Sequence, residues 1–163
     1  MVSGYYVGEA KSGMTNECLN IVLDCLDSDI PVLYISTEMN AQTTAWKLIK
    51  LMTGVDMSIR KDTKDLSKAD EKAVLAAIRK IKVGAFYFSG TNGTFDISEI
   101  ERTCQKAIEE HGVKHIIVDR VSATTFFVAK NRLVKNIMKK YNVGITLAKQ
   151  GVRGSGLTFN EFT

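Results

Sequence analysis

No apolar run in this 163-residue chain reaches the roughly 18 residues that a membrane-spanning helix needs. Nor does it open with a basic stretch followed by a long apolar block. These absences argue against a helical anchor and a leader, and the expected location is cytoplasmic. Cysteine is scarce: Cys18, Cys25 and Cys104 are an odd number without C-x-x-C spacing, which argues against a disulfide framework or a thiolate metal site and for buried thiols. Proline occurs once, as Pro31, ahead of an apolar run where a strand start tolerates the missing N–H. Acid is missing from one long stretch. Residues 120–160 carry eight basic residues (Arg120, Lys130, Arg132, Lys135, Lys139, Lys140, Lys149, Arg153) and no Asp or Glu. The whole chain has 22 basic and 18 acidic residues, so the remainder is net acidic and the charge is polarised along the sequence. Such polarity suggests a nucleic-acid face, and a solvated helix face is the alternative.

What is present first is a loop that lacks one residue. Gly8-Glu9-Ala10-Lys11-Ser12-Gly13-Met14-Thr15 follows the pattern G-x-x-x-x-G-K-[ST], with Met14 where the pattern has lysine. In that pattern backbone N–H groups wrap a nucleotide's phosphates, the lysine reaches the terminal phosphates, and the hydroxyl meets Mg²⁺. The flanks agree with it. Tyr5-Tyr6-Val7 reads as a strand, and Cys18, Leu19, Val22, Leu23 and Leu26 recur at helical spacing after Thr15.

Alternation continues from there. Val32 to Ser36 reads as a buried strand ending in Thr37-Glu38-Met39-Asn40, and a helix with Trp46, Leu48, Ile49 and Met52 closes near Gly54. Glu38, at the C-terminal end of a strand beside a phosphate loop, is a candidate general base; a helix-entry acid near the positive end of the dipole is the alternative. Residues 56–68 read as a polar surface connection. Ser67 to Asp70 starts the next helix, Ala85 to Phe88 forms a strand, and Asp96 caps a helix that Gly112 stops. His115-Ile116-Ile117-Val118-Asp119 is an apolar run closed by an acid, the form in which nucleotide-binding folds offer a carboxylate to Mg²⁺. Phe126 and Phe127 read as core or as a stacking pair. An amphipathic basic helix follows, then the strand Val143 to Ala148, then Lys149-Gln150 and the glycine-rich basic segment 151–156, a composition suited to following a phosphate backbone.

In this order the motifs resemble the RecA-like motor domain of the DnaB family of replicative helicases. The match rests on Gly8 to Thr15 running into Leu19-Asn20-Ile21, on Val32 to Met39, on Ile97-Ser98-Glu99-Ile100, on His115 to Asp119, and on Asn142-Val143 through Gln150. The resemblance implies a P-loop, three-layer α/β/α fold with a mainly parallel twisted sheet, and a single domain over residues 1–163. It also implies roles: Gly8, Lys11, Gly13, Met14 and Thr15 toward nucleotide, Thr15 and Asp119 toward Mg²⁺, Glu38 toward water, and Gln150 coupling nucleotide state to DNA. Departures from the family pattern are Met14, a short segment after Asp119, and no clear arginine finger, since Arg153 follows its strand closely. The reading expects a C-terminally truncated domain without the family's N-terminal domain or linker helix.

These readings combine into an expectation of a catalytically degenerate, phage-like relative that binds single-stranded DNA in replication or recombination. Lys130, Arg132, Lys135, Lys139, Lys140, Lys149 and Arg153 are the phosphate contacts expected, with Phe126 or Phe127 stacking on bases. ATP and Mg²⁺ are cofactors only if the loop still binds. Two alternatives stand: a regulator or decoy docking on a replicative helicase or on copies of itself through the inherited subunit interface, and a weakly active ATPase in which Lys11 supplies the charge.

Overall fold

The structure, a computed structural model, describes residues 2–9, 12–60 and 62–162. Six strands form one sheet: β1 (Gly4–Gly8), β2 (Val32–Ser36), β3 (Phe86–Gly90), β4 (His115–Val121), β5 (Gly144–Gln150) and β6 (Thr158–Glu161), in the spatial order β3-β2-β4-β5-β1-β6. Every pairing is parallel except that of β6, which runs antiparallel to β1 at one edge. The helices are α1 (Met14–Asp27), α2 (Ala41–Thr53), α3 (Lys68–Val83), α4 (Ile97–His111) and α5 (Phe126–Leu133), the last continuing into a π-helical stretch, Val134–Lys139. This is the α/β, mainly parallel arrangement expected from the alternation. β6 and the π-helical stretch are additions that the pattern did not announce.

Two apolar layers explain the placement of the helices. On one face, Met14, Cys18, Leu19, Val22, Leu26 and Leu48 pack against Val32, Tyr34, Ile117 and Ala148. On the other, Ile100, Cys104, Phe126, Ala129, Leu133 and Ile137 pack against Leu33, Ile35, Ile116, Val118, Ile145 and Leu147. Successive residues of β2, β4 and β5 thus alternate between layers, as a sheet buried on both sides requires. Truncating one of these side chains to Ala costs about 2–5 kcal/mol. The connection read as a polar surface segment is partly core: Val55, Met57 and Leu66 form a third cluster with Ile49, Val74 and Ala77.

Caps fall where the sequence puts them. Asn40, Ser67 and Asp96 accept backbone N–H bonds from Thr43, Asp70 and Ser98, and the left-handed Gly54 and Gly112 end α2 and α4. The three thiols are buried; burial pushes Cys25 up to about 11 and Cys104 up to about 12, so neither is a thiolate near neutral pH. His115 is buried at the start of β4, its Nε2 2.9 Å from Thr146 Oγ1, and burial brings its pKa down to about 4.

Register decides where function collects. Gly8 lies opposite Gln150, and Ser36 opposite Asp119, so the C-terminal ends of β1, β5, β4 and β2 form one row. In open α/β sheets, ligands bind in the crevice outside this row.

Candidate nucleotide site and basic surface

α1 begins without a side-chain cap. Its N-cap is Gly13 at φ 89°, a left-handed turn that favours glycine, and the first-turn N–H groups have no intrahelical partner. A Cβ at Gly8 would meet Ser12 Oγ, so that hydroxyl would have to turn away. That hydroxyl oxygen is buried and has no hydrogen-bond partner among the described residues. The loop therefore ends at the positive pole of a 14-residue helix, with a buried hydroxyl at its base that no described residue pairs.

Across the sheet, Asp119 closes the buried part of β4 at 5% exposure, and its Oδ2 accepts from Thr15 Oγ1 at 2.9 Å and from the Tyr34 hydroxyl at 2.6 Å. Burial, then the Asp119 charge, pushes the Tyr34 phenol up, so it stays a donor. Thr15 and Asp119, read from separate motifs, are thus brought together. Their donor set of hydroxyl and carboxylate oxygens suits Mg²⁺, a hard cation.

A register shift between Asp119 and Val121 interrupts the β4–β5 ladder at Arg120. Irregularities of this kind re-aim side chains near functional sites. Arg120 Nη1 donates to Gln150 Oε1 at 2.8 Å and lies 3.7 Å from Glu38 Oε1, while Nε is buried with no hydrogen-bond partner among the described residues. Thr37 holds the arginine's backbone: its Oγ1 accepts from Arg120 N at 3.2 Å. Glu38 and Gln150, assigned separately by resemblance, are therefore linked through one guanidinium. Glu38 itself is 65% exposed.

Between these groups lies a cavity of about 290 Å³ lined by Glu9, Gly13, Met14, Thr15, Asn16, Lys47 and Arg120. Met14 reaches it but is 2% exposed and packs mainly in the α1 layer. Lys11 lies outside the described residues. Sequence reading missed two of the lining cations: Arg120 was counted only in the basic stretch, although it directly follows the motif acid, and Lys47 carried no motif signal. A larger depression of about 640 Å³ runs along the outer face of α3, past Lys72, Leu75, Arg79 and Val83, away from the strand ends.

The basic residues do not share one environment. Lys135, Lys139 and Lys140 are exposed on the far part of the α5 and π-helical segment, Lys140 lying against the Tyr141 ring. Arg132 is tied to Glu101 at 2.6 Å, so its charge is already matched. Lys130 and Lys149 lie over the rings of Tyr5 and Phe126 at 5.6 and 4.8 Å. Arg153 is exposed in the loop between β5 and β6. That loop is hooked to the phosphate loop: Gly154 N donates to Glu9 Oε2 at 2.8 Å, and Gly151 N to Gly8 O at 2.7 Å. Phe126 corrects an expectation. At 2% exposure it is core and offers no face to a base, whereas Phe127 is 68% exposed. Adjacent helical residues differ by about 100° in direction, so only one of the pair can enter the layer.

Comparison with known proteins agrees with this geometry. The sequence model of the DnaB-like helicase C terminal domain matches residues 7–149. The chain belongs to this family. No curated protein sequence matches it. Among solved structures, an ATPase domain superposes with a TM-score of 0.72 at 16% identity, covering 90% of this chain and 56% of that one. A DnaB-like replicative helicase, described with its interactions with primase, superposes with a TM-score of 0.74 at 17% identity, covering 90% of this chain and 38% of that one. At such identities the likeness shows the RecA-like fold, and this DnaB-like chain spans about half or less of the length of those structures. Among the described residues, no helix is long and apolar enough to cross a membrane.

Proposed function

We propose that this DnaB-like chain is a nucleic-acid-binding domain of replicative-helicase type that holds a nucleoside triphosphate at its strand ends and turns it over slowly at most. It acts as one domain, with single-stranded DNA as its partner. The observation that carries this reading is the hook between the phosphate loop and the loop bearing Arg153, made by Glu9 with Gly154 and by Gly8 with Gly151. It gives nucleotide and nucleic acid a shared piece of backbone.

The residues fit Mg²⁺ and a nucleotide on three counts: the Thr15–Asp119 pair, the α1 N-terminus without a side-chain cap, and the buried Ser12 Oγ, which has no partner among the described residues. When bound, Mg²⁺ supplies charge neutralisation at the phosphates. The chain's own residues divide the remaining work. Tyr34 fixes the Asp119 carboxylate. Glu38, at 65% exposure, is the group available to orient or deprotonate water, and Arg120 draws it toward Gln150. The loop lysine is replaced by Met14, and loss of a transition-state cation costs several kcal/mol, roughly 10²-fold or worse in rate.

Lys149, Arg153 and the exposed Phe127 lie on or beside the loops that follow β4 and β5, and we assign them as nucleic-acid contacts on that account. Lys135, Lys139 and Lys140 extend the basic surface along the helix. The test is equilibrium binding of single-stranded and duplex oligonucleotides to wild type and Arg153→Ala at low salt. The reading expects a preference for single strands and a several-fold weakening by the variant, about 1 kcal/mol for a lost phosphate contact. Equal affinity in both proteins removes the β5–β6 loop from the interface. Docking on a replicative helicase is the second reading, favoured by the exposed Leu75 and Val83 along the α3 depression. A pull-down with replication proteins that survives nuclease treatment, and is lost in Leu75→Asp, supports it.

A further inference from the structure

The strand-end cavity has a charge requirement that position 14, where the pattern has its lysine, does not meet. A nucleotide's phosphates bring several negative charges, and Met14 places a buried thioether where the pattern has an ammonium group. Two described cations line the cavity, and their commitments differ. Arg120 is engaged by Gln150 and Glu38. The Lys47 ammonium makes no hydrogen bond or ion pair with a described residue. Its helical neighbour Lys50 shows the contrast, being paired with Asp56 at 3.4 Å. The cavity's one described acid, Glu9, does not pair with Lys47 and accepts from Gly154.

The backbone that carries Lys47 is well held. Asn40 caps α2 by accepting from Thr43 N, the Thr44 hydroxyl donates to Asn40 O at 2.9 Å, and Leu48 and Ile49 are buried on either layer beneath the helix. Only the flexible four-carbon stem is free, and it ends in a strongly hydrated point charge of the kind that follows phosphate oxygens without fixed angles. Thr15 and the α1 N-terminus at Gly13 line the same cavity, both suited to the same anion.

We infer that Lys47, reaching in from α2, is the phosphate-binding cation of this cavity and takes over the neutralising task of the lysine absent at position 14. The inference rests on the nucleotide reading given above. It makes the cavity a polyphosphate site whose cation comes from the helix after β2. Arg120 is left to position Glu38 and Gln150.

Calorimetric titration of Mg²⁺·ATP into the full chain tests it, using wild type, Lys47→Gln and Lys47→Arg, with thermal unfolding as the control for folding. Loss of a charge-assisted contact predicts about tenfold weaker binding for Lys47→Gln. Lys47→Arg keeps the charge and stays within about threefold of wild type. Melting temperatures stay together, since Lys47 is exposed. Equal binding by wild type and Lys47→Gln overturns the inference and leaves the nucleotide reading standing. Equal loss in Lys47→Gln and Lys47→Arg makes the position structural and also overturns it. Absence of Mg²⁺·ATP binding by wild type overturns both.

Discussion

The strand-end cluster and the basic surface are built on opposite rules. At the strand ends each functional group is held by another: Thr15 and Tyr34 by Asp119, and Glu38 and Gln150 by Arg120, with the register of β1, β2, β4 and β5 setting the row. On the basic surface, Lys135 and Lys139 stand out from a helix, and Arg132 alone is clamped by a neighbouring carboxylate. The chemistry on phosphates proposed for the strand ends requires fixed directions, and there Asp119 and Tyr34 are buried and hydrogen-bonded while Arg120 is tied to both Gln150 and Glu38. Holding a nucleic-acid backbone requires mainly charge, which a mobile side chain supplies. In this chain the fixed half keeps its scaffold, and among the described residues its cations are Arg120 and Lys47, off the phosphate loop.

The comparison breaks most severely at Asp119. Asp119→Ala removes the carboxylate offered to the metal, and Mg²⁺·ATP affinity is expected to fall about 10³-fold. Oligonucleotide binding without nucleotide stays within about twofold, because the basic surface owes Asp119 nothing. Paired titrations check both halves. If DNA binding collapses equally, the two regions are one.

Next in size is a pH effect confined to the sheet interior. The folded chain keeps His115 neutral, so protons favour the unfolded chain. Stability from this residue is complete above the ordinary histidine value of about 6.5 and is lost as pH falls toward about 4, a change of roughly 3 kcal/mol. Urea unfolding of wild type and His115→Gln across that window reads it as a steeper decline in wild type.

Tyr34→Phe is smaller, about 2 kcal/mol of stability for a buried hydrogen bond to a carboxylate. It also loosens Asp119, so Mg²⁺ dependence of ATP binding shifts to higher metal concentration, an effect that a purely structural tyrosine lacks. Smallest are Lys135→Ala and Lys139→Ala, each under about 1 kcal/mol in oligonucleotide affinity and each lowering the salt slope by about 0.7. Unchanged slopes in both move the interface off the π-helical stretch and toward the loops.

Much of the strand-end cluster was legible because its residues follow apolar runs: Thr15, Glu38, Asp119 and Gln150 each sit where a strand or its loop ends, and parallel strands align those ends. Arg120 was hidden by its context, one of eight basic residues in an acid-free stretch, and only the register shift beside Asp119 turns it toward the cavity. Lys47 was hidden by type, since an exposed lysine on an amphipathic helix carries no signal until the tertiary fold brings it over the cavity. Among the fold elements, the antiparallel β6 escaped because all four of its residues are exposed and show no alternation. Val55, Met57 and Leu66 escaped because isolated apolar residues in a charged segment have no period. Phe126 and Phe127 could not be separated without the helix phase.

The most direct test is fluorescence polarisation of a labelled single-stranded oligonucleotide at low and moderate salt, with and without Mg²⁺·ATP. The account predicts binding that weakens steeply with salt and shifts when Mg²⁺·ATP occupies the cavity hooked to the Arg153 loop. Binding that is absent at low salt, or indifferent to both salt and nucleotide, contradicts it.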